Sequence, residues 1–334
     1  MKKNDVRFLV DYLSFSVTRL DFLNLDSDPQ YICERIQAKF FLRGLQYTER
    51  HSFYGYLSTY NAQGITICFG GREDIYIQLS GTGCRAFETL NKGLTWEKYI
   101  SYLFMTYPTM HISRFDVACD TFDLLQIEKI QRYTMAEKFV SKWRTYLVQV
   151  GNKENSVIWG SPKSDFRCRI YDKTDERKQK GIAEVPENWV RCEFQLRNEA
   201  AQSFYKSWVN LGDLSSVFLA ILRNQLIYYS SYDGVHTDRM VIVGWWKQLL
   251  GNAGRCKMAY QGGMEYNLDN LRDYVVKQAG SSVRAYIEAV GPEKLLADVS
   301  VRPLNDRQLA LLDGVRHDII CKKEVSGCDS SSKM

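Results

Sequence analysis

Ile112-Ser113-Arg114-Phe115-Asp116-Val117-Ala118-Cys119-Asp120 is the stretch on which the reading of the fold turns. A β-strand sends alternate side chains to opposite faces. On that period Ser113, Phe115, Val117 and Cys119 share one face, and Arg114, Asp116, Ala118 and Asp120 share the other. Two later segments repeat the division. In 167–173, Cys168, Ile170 and Asp172 oppose Arg167, Arg169, Tyr171 and Lys173. In 190–197, Val190, Cys192, Phe194 and Leu196 oppose Arg191, Glu193, Gln195 and Arg197. Neighbouring strands of this kind would join one apolar face to one floor of mixed charge.

Outward from these strands, 10–17, 64–69 and 74–79 also alternate, and Gly70-Gly71-Arg72-Glu73 predicts a hairpin turn between the last two. Helical spacing covers Asp28 to Leu42, Thr95 to Met105 and Gln126 to Trp143. Beyond residue 200 the periods are helical: Leu211–Leu226, Met240–Leu250, Leu268–Gln278, Ser282–Val290 and Asn305–Arg316. The expected fold is α+β, an antiparallel-dominated sheet with flanking helices and a helical C-terminal region. The expected domains are a catalytic 1–200, a helical 201–321 for DNA recognition or dimerisation, and a flexible tail 322–334.

The 334 residues are 45% hydrophobic and 25% charged, which excludes a disordered or fibrous chain. A net charge of +5 permits a nucleic-acid partner without requiring one. The nine cysteines form no CxxC pair, so neither a disulfide framework nor a zinc site is expected, and the thiols read as small buried groups in a reducing cytoplasm. No signal peptide, bilayer-length apolar run or GxxxxGK[ST] nucleotide loop occurs in the sequence. A soluble cytoplasmic protein with no membrane partner is expected, and any helicase must come from the host.

The charged floor has two readings. It can be a solvated outer face laced with cross-strand ion pairs. Alternatively, Asp116, Asp120 and Glu193 hold a hard divalent cation, Mg²⁺ or Mn²⁺, while Arg114, Arg169, Arg191 and Lys173 meet phosphate. Tyr171 would then attack a phosphodiester, its phenol (pKa ~10) activated by the ion or the cations. Lys163, Arg167, Arg177 and Lys178 lie in a basic run, 159–180, suited to DNA, although 174–180 also reads as a solvated loop. Gly81-Thr82-Gly83 reads equally as a tight turn or, with Arg85, as a contact to the phosphate backbone.

Ile112 to Asp120 resembles the SRxDxAxD signature of the rolling-circle replication initiation factor family. That family takes in plasmid and filamentous-phage initiators and related relaxases of integrative conjugative elements. Further pieces follow in the family's order: Val10 to Phe15, Leu79 to Glu88, Trp159 to Ser164 with Arg169-Ile170-Tyr171-Asp172-Lys173, and Trp189 to Leu196. The resemblance covers roughly 8–250. It implies nicking of origin or transfer-origin DNA, single-stranded or in a hairpin, through a 5′-phosphotyrosyl intermediate that leaves a free 3′-OH, with Tyr171 as nucleophile. It is compatible with a homodimer. The His-hydrophobic-His metal strand of commoner rolling-circle nucleases is absent, because His51, His111, His236 and His317 never stand two apart.

Two rivals remain at this level. His111-Ile112-Ser113-Arg114 spells the HxxR of tyrosine recombinases, which use a helical setting and form a 3′-phosphotyrosine. The other is a DNA-binding protein that has lost the reaction. His111 itself reads as a surface or capping residue, and Trp245-Trp246 as helix packing.

Overall fold

His111–Phe122 forms strand β6 near the middle of a ten-stranded sheet. The computed structural model describes residues 5–18, 28–151, 154–231, 240–251, 253–254, 258, 272, 275–276, 279–304 and 312. In chain order the other strands of this sheet are β1 (Val6–Thr18), β2 (Thr48–Arg50), β3 (Ser58–Ala62), β4 (Ile65–Phe69), β5 (Asp74–Leu79), β8 (Tyr146–Gln149), β9 (Ser156–Trp159), β10 (Phe166–Asp172) and β11 (Trp189–Arg197). Their spatial order is β2-β3-β4-β5-β1-β6-β11-β10-β9-β8, and neighbours run antiparallel. The three strands with one charged face are therefore adjacent, as the α+β reading requires. The 65–69/74–79 hairpin forms as expected, with Gly70 and Gly71 at φ 78° and 74°, where a side chain would be strained.

Helices cover the apolar face. Phe15 of β1 meets Phe40, just past α1 (Pro29–Lys39), while α2 (Gly81–Leu90) and α3 (Trp96–Thr106) bring Phe87 and Tyr99 into the same core. Phe115 packs on Phe204 and Trp208 of α6 (Asn198–Leu211), and Phe194 stacks on Phe218 of α7 (Leu214–Gln225) at 4.1 Å. Each such ring, fully buried, contributes roughly 1.5–3 kcal/mol of transfer free energy. Cys119, Cys168 and Cys192 are buried between these rings as free thiols.

Several expected elements differ. The helix expected to run to Trp143 is α4 (Ile127–Met135); Glu137 takes φ 53°, and Phe139–Ser141 becomes strand β7, paired with β12 (Leu226–Ser231). Phe139 packs edge-on against Trp159 at 4.6 Å, a tertiary contact that outweighs local helical spacing. Residues 174–180 are not a loop but largely helix α5 (Lys173–Gln179), whose N-terminus is capped by the Asp172 carboxylate. Met240–Leu250 divides into strand β13 (Val241–Ile242) and helix α8 (Gly244–Leu250). Trp246 of α8 is fully buried and donates to the Leu226 carbonyl, which is the expected packing role.

Because α6 and α7 pack on the sheet, the first compact unit does not stop near 200: the chain divides into Met1–Gly262 and Gly263–Met334. Within the second unit, α9 (Gly280–Val290) and α10 (Pro292–Ser300) meet around Gly291, and Tyr286 donates to Asp298 at 2.7 Å. The tail from 322 lies outside the described residues, as do most of the helices expected at 268–278 and 305–316. Among the described residues no helix is long and apolar enough to cross a membrane.

Candidate active site

Strand register decides which charges meet. Asp120 stands opposite Arg7 of β1 and Arg191 of β11; Glu193 stands opposite Arg169 of β10; Arg191 stands opposite Tyr171. Beside β6, strand β1 shifts register between Val10 and Tyr12, a bulge that frees Asp11 from the alternation. Arg85 of α2 donates to the Val10 carbonyl at this bulge and pairs with Glu88. A Cβ on Gly81 would come within 3.3 Å of Asp11 Oδ1, and one on Gly83 within 2.4 Å of the Gly64 carbonyl. The Gly-Thr-Gly segment is thus the close-packed opening of a helix, not a tight turn. A second register shift, between Ser14 and Phe15, takes Ser113 out of the simple alternation.

Arg191 is the hub of a buried ion network. Its Nε and Nη2 donate to Asp120 at 2.6 and 2.9 Å, and its Nη1 lies 2.7 Å from Asp11 Oδ2. Arg7 adds a bond to Asp120 at 2.7 Å. Burial pushes the Asp120 carboxyl up, but the hydrogen bonds and charge of Arg191 outweigh it and leave the pKa below its ordinary value. Both Asp120 oxygens, expected as metal donors, accept from guanidiniums in a closed site. Arg114 grips Asp116 in the same forked way, at 2.6–3.1 Å.

Tyr171 is buried, but among charges. Its hydroxyl donates to Glu193 Oε2 at 3.2 Å and accepts from Lys173 Nζ at 3.1 Å. The Arg169 guanidinium covers its ring at 4.1 Å from the centroid and pairs with Glu154 at 2.8 Å. Lys173 also pairs with Glu176. Burial and then the Glu193 carboxylate drive the Tyr171 pKa far up, so the resting side chain is a neutral phenol. Burial, then the charge of Asp11, raises Glu193 as well. Burial pushes Asp116 to about 7, against its bonds to Arg114 and with the Glu193 charge adding to the rise.

The profile of the replication initiation factor family matches residues 110–298. The chain belongs to that family. Among relatives, "Putative DNA relaxase NicK" of Bacillus subtilis (strain 168) is 22% identical over 322 residues, 91% of each chain. A solved structure of a rolling circle replication initiator protein from Geobacillus stearothermophilus superposes with TM-score 0.60 and 21% identity over 77% of this chain and 100% of that one. Its likeness extends the agreement to the fold.

In this member of the replication initiation factor family, the sheet brings Tyr171, Lys173, Arg169, Glu193, Arg191 and Asp120 into one connected cluster, with Asp116 and Arg114 on the same face. Among the described residues no three His, Cys, Asp or Glu side chains are arranged to hold a metal ion, so Asp116, Asp120 and Glu193 do not form the expected trio. Of the expected DNA contacts, Arg85 is occupied at the bulge, Arg167 bonds Gln195 at 3.4 Å, and Lys178 pairs with Glu187 at 3.8 Å. Lys163 is exposed and Arg177 half-buried. His111 bonds Gln202 at 2.8 Å on a strand, so its HxxR lacks the helical setting of a recombinase. Sequence reasoning missed Asp11. Its signal was the adjacent pair Asp11-Tyr12 between Val10 and Leu13, which breaks the period-two pattern as a bulge does.

The raised Asp116 carboxyl has a consequence for stability. Between the ordinary value of 3.8 and about 7, the folded chain holds this proton more tightly than the unfolded chain. Unfolding free energy therefore falls as pH rises through that window. In urea titrations without divalent metal, the stability of Asp116→Asn relative to wild type should increase from pH 4 to pH 7. A pH-independent difference would mean Asp116 is ionised throughout.

Proposed function

We propose that this chain nicks and rejoins one DNA strand as a rolling-circle replication initiator, with Tyr171 as nucleophile. The observation that carries the reading is the Tyr171 hydroxyl held between Glu193 and Lys173 beneath Arg169, on the charged face of a family member. Glu193 Oε2 is placed to take the phenolic proton. As the Oη–P bond forms, the P–O3′ bond breaks and O3′ takes up a proton, leaving a 5′-phosphotyrosyl adduct and a free 3′-OH. Arg169 and Lys173, both in contact with Tyr171, would stabilise the negative charge that gathers on the phosphoryl oxygens.

The residues present also suit a divalent cation. Asp116 and Glu193 offer hard oxygens; the Glu193 charge raises Asp116 and the Asp11 charge raises both, a surplus of negative charge that a cation relieves. Mg²⁺ commonly takes one or two carboxylates and completes its shell with water and phosphate, so a ready-made cage is not needed. Asp116 and Glu193 would hold Mg²⁺ or Mn²⁺, which when bound withdraws charge from a phosphate oxygen. Glu193→Ala should lower nicking by roughly 10²–10⁴-fold. Asp116→Ala should raise the Mg²⁺ concentration required; full wild-type activity in EDTA would remove the ion from the reaction.

The direct test is incubation with single-stranded fragments of the encoding replicon, followed by peptide mapping. An adduct on the peptide holding residue 171, with a 5′-phosphate bond, is expected. A 3′-phosphotyrosine or an adduct at another tyrosine overturns the reading. The length-matched relaxase relative supports a second reading, the same chemistry at a conjugative transfer origin. Preferential nicking of transfer-origin over replication-origin fragments would select it. Strand separation falls to a host helicase, since the sequence has no nucleotide-binding loop.

A further inference from the structure

The charged floor continues away from Tyr171 as a row of aromatic rings. The Arg114 guanidinium lies 4.3 Å from the centroid of Tyr12, on β1 opposite Asp116. Tyr12 interacts with Tyr76 of β5, whose hydroxyl donates to Gln78 Oε1 at 3.2 Å. Tyr76 takes the Tyr54 ring edge-on at 5.8 Å, and Tyr54 sits against Phe53 at 3.9 Å. Arg72 covers Tyr56 at 5.0 Å, alongside Tyr76. Rings and guanidiniums thus lead from the Asp116 pair, across β1 and β5, to the loop at 51–57.

The far end of this row is exposed in a way that core packing does not account for. Tyr54 is 64% exposed and Phe53 38%, and Tyr54 takes φ 53°, which is costly for a side chain of its size. Strained backbone presenting aromatic rings to water points to a partner. The rings are too few for a lasting protein interface, which needs on the order of 1,200 Å² of buried surface. They match a single nucleic-acid strand, whose bases stack on aromatic rings of any neighbour and whose phosphates seek guanidiniums. Arg72 is half-exposed; besides covering Tyr56 and reaching the Tyr54 carbonyl at 3.5 Å, it shares a surface pair with Asp74 at 3.0 Å, which a phosphate can displace.

We propose that this row seats the single-stranded DNA flanking the scissile phosphate, with bases stacked on Tyr54 and Phe53 and phosphates at Arg72. The proposal rests on the nicking reading and extends it to the substrate's path. The test is the affinity of the full chain for a fluorescein-labelled oligo(dT) 20-mer, with adduct formation by wild type measured in parallel. Phe53→Ala/Tyr54→Ala should weaken binding about tenfold or more, Tyr54→Trp should retain it, and Met105→Ala, a still more exposed apolar side chain on α3, should leave it alone. Urea midpoints near wild type keep a folding defect from imitating the loss.

If wild type forms its adduct but the double variant binds the 20-mer normally, the row is not the DNA path and the nicking reading stands. If wild type forms no adduct but the variant loses affinity, the single-strand surface stands and the nicking reading falls. A variant that changes oligomeric state without changing DNA affinity would assign the row to a second copy of the chain and overturn the proposal.

Discussion

Tyr171→Phe should form no covalent adduct with nick-site DNA while binding it with nearly wild-type affinity. The substitution removes only the oxygen that would attack phosphorus, and the lost nucleophile should lower strand cleavage by on the order of 10⁴-fold or more. Binding is carried by phosphate contacts, so the slope of log affinity against log salt should stay the same. The phenylalanine ring keeps its place beneath Arg169. Glu193 and Lys173 lose a shared hydrogen-bond partner, at a cost of about 1–3 kcal/mol, so the chain should still fold. Adduct yield on denaturing gels and fluorescence anisotropy read the two properties separately. Undiminished adduct would take Tyr171 out of the reaction.

Asp120→Ala should unfold the protein more readily than any other change on the charged face. Asp120 is fully buried, and its oxygens accept from both Arg191 and Arg7. Removing it leaves the Arg191 guanidinium underground with Asp11 as its remaining carboxylate. Breaking a buried pair in this way costs about 3–5 kcal/mol, a large share of a domain's total stability. The sign of the pH dependence follows from the lowered carboxyl. The stabilisation is complete above the ordinary carboxylate range and lost as pH falls below it, so wild type and Asp120→Ala should converge in acid. Urea midpoints at pH 7 and below pH 4 measure this. A normal midpoint with activity restored by extra Mg²⁺ would return Asp120 to the metal.

The two experiments separate residues that look alike in sequence. Asp116 and Asp120 lie four apart on one face of one strand, and each has an arginine at hand. Tertiary register gives Asp120 two guanidiniums in a closed site. Asp116 has one, Arg114 two residues away on its own strand, and the sheet sets it near Glu193, whose charge raises its pKa. The Asp120 carboxyl is accordingly held below its ordinary value, while burial and the Glu193 charge raise that of Asp116. Arg191 pairs with both Asp11 and Asp120 at a register position opposite Tyr171.

Alternation along 112–120, 167–173 and 190–197 was enough to divide an apolar face from a charged one, because a pleated strand has a period of two wherever it lies. The same arithmetic brought out Tyr171, Arg169, Arg191 and Glu193 as residues of one face. Period alone does not say which strands pair or in what register. It therefore did not show that Glu193 touches Tyr171, that a bulge turns Asp11 into the network, or that Asp120 is used up by it. The 126–143 segment strayed for a related reason: its helical spacing is real, but Phe139 gains more by packing on Trp159 as a strand. Local periodicity is a property of the chain, whereas partnership between charges depends on distances across strands far apart in sequence, and only the folded sheet sets those.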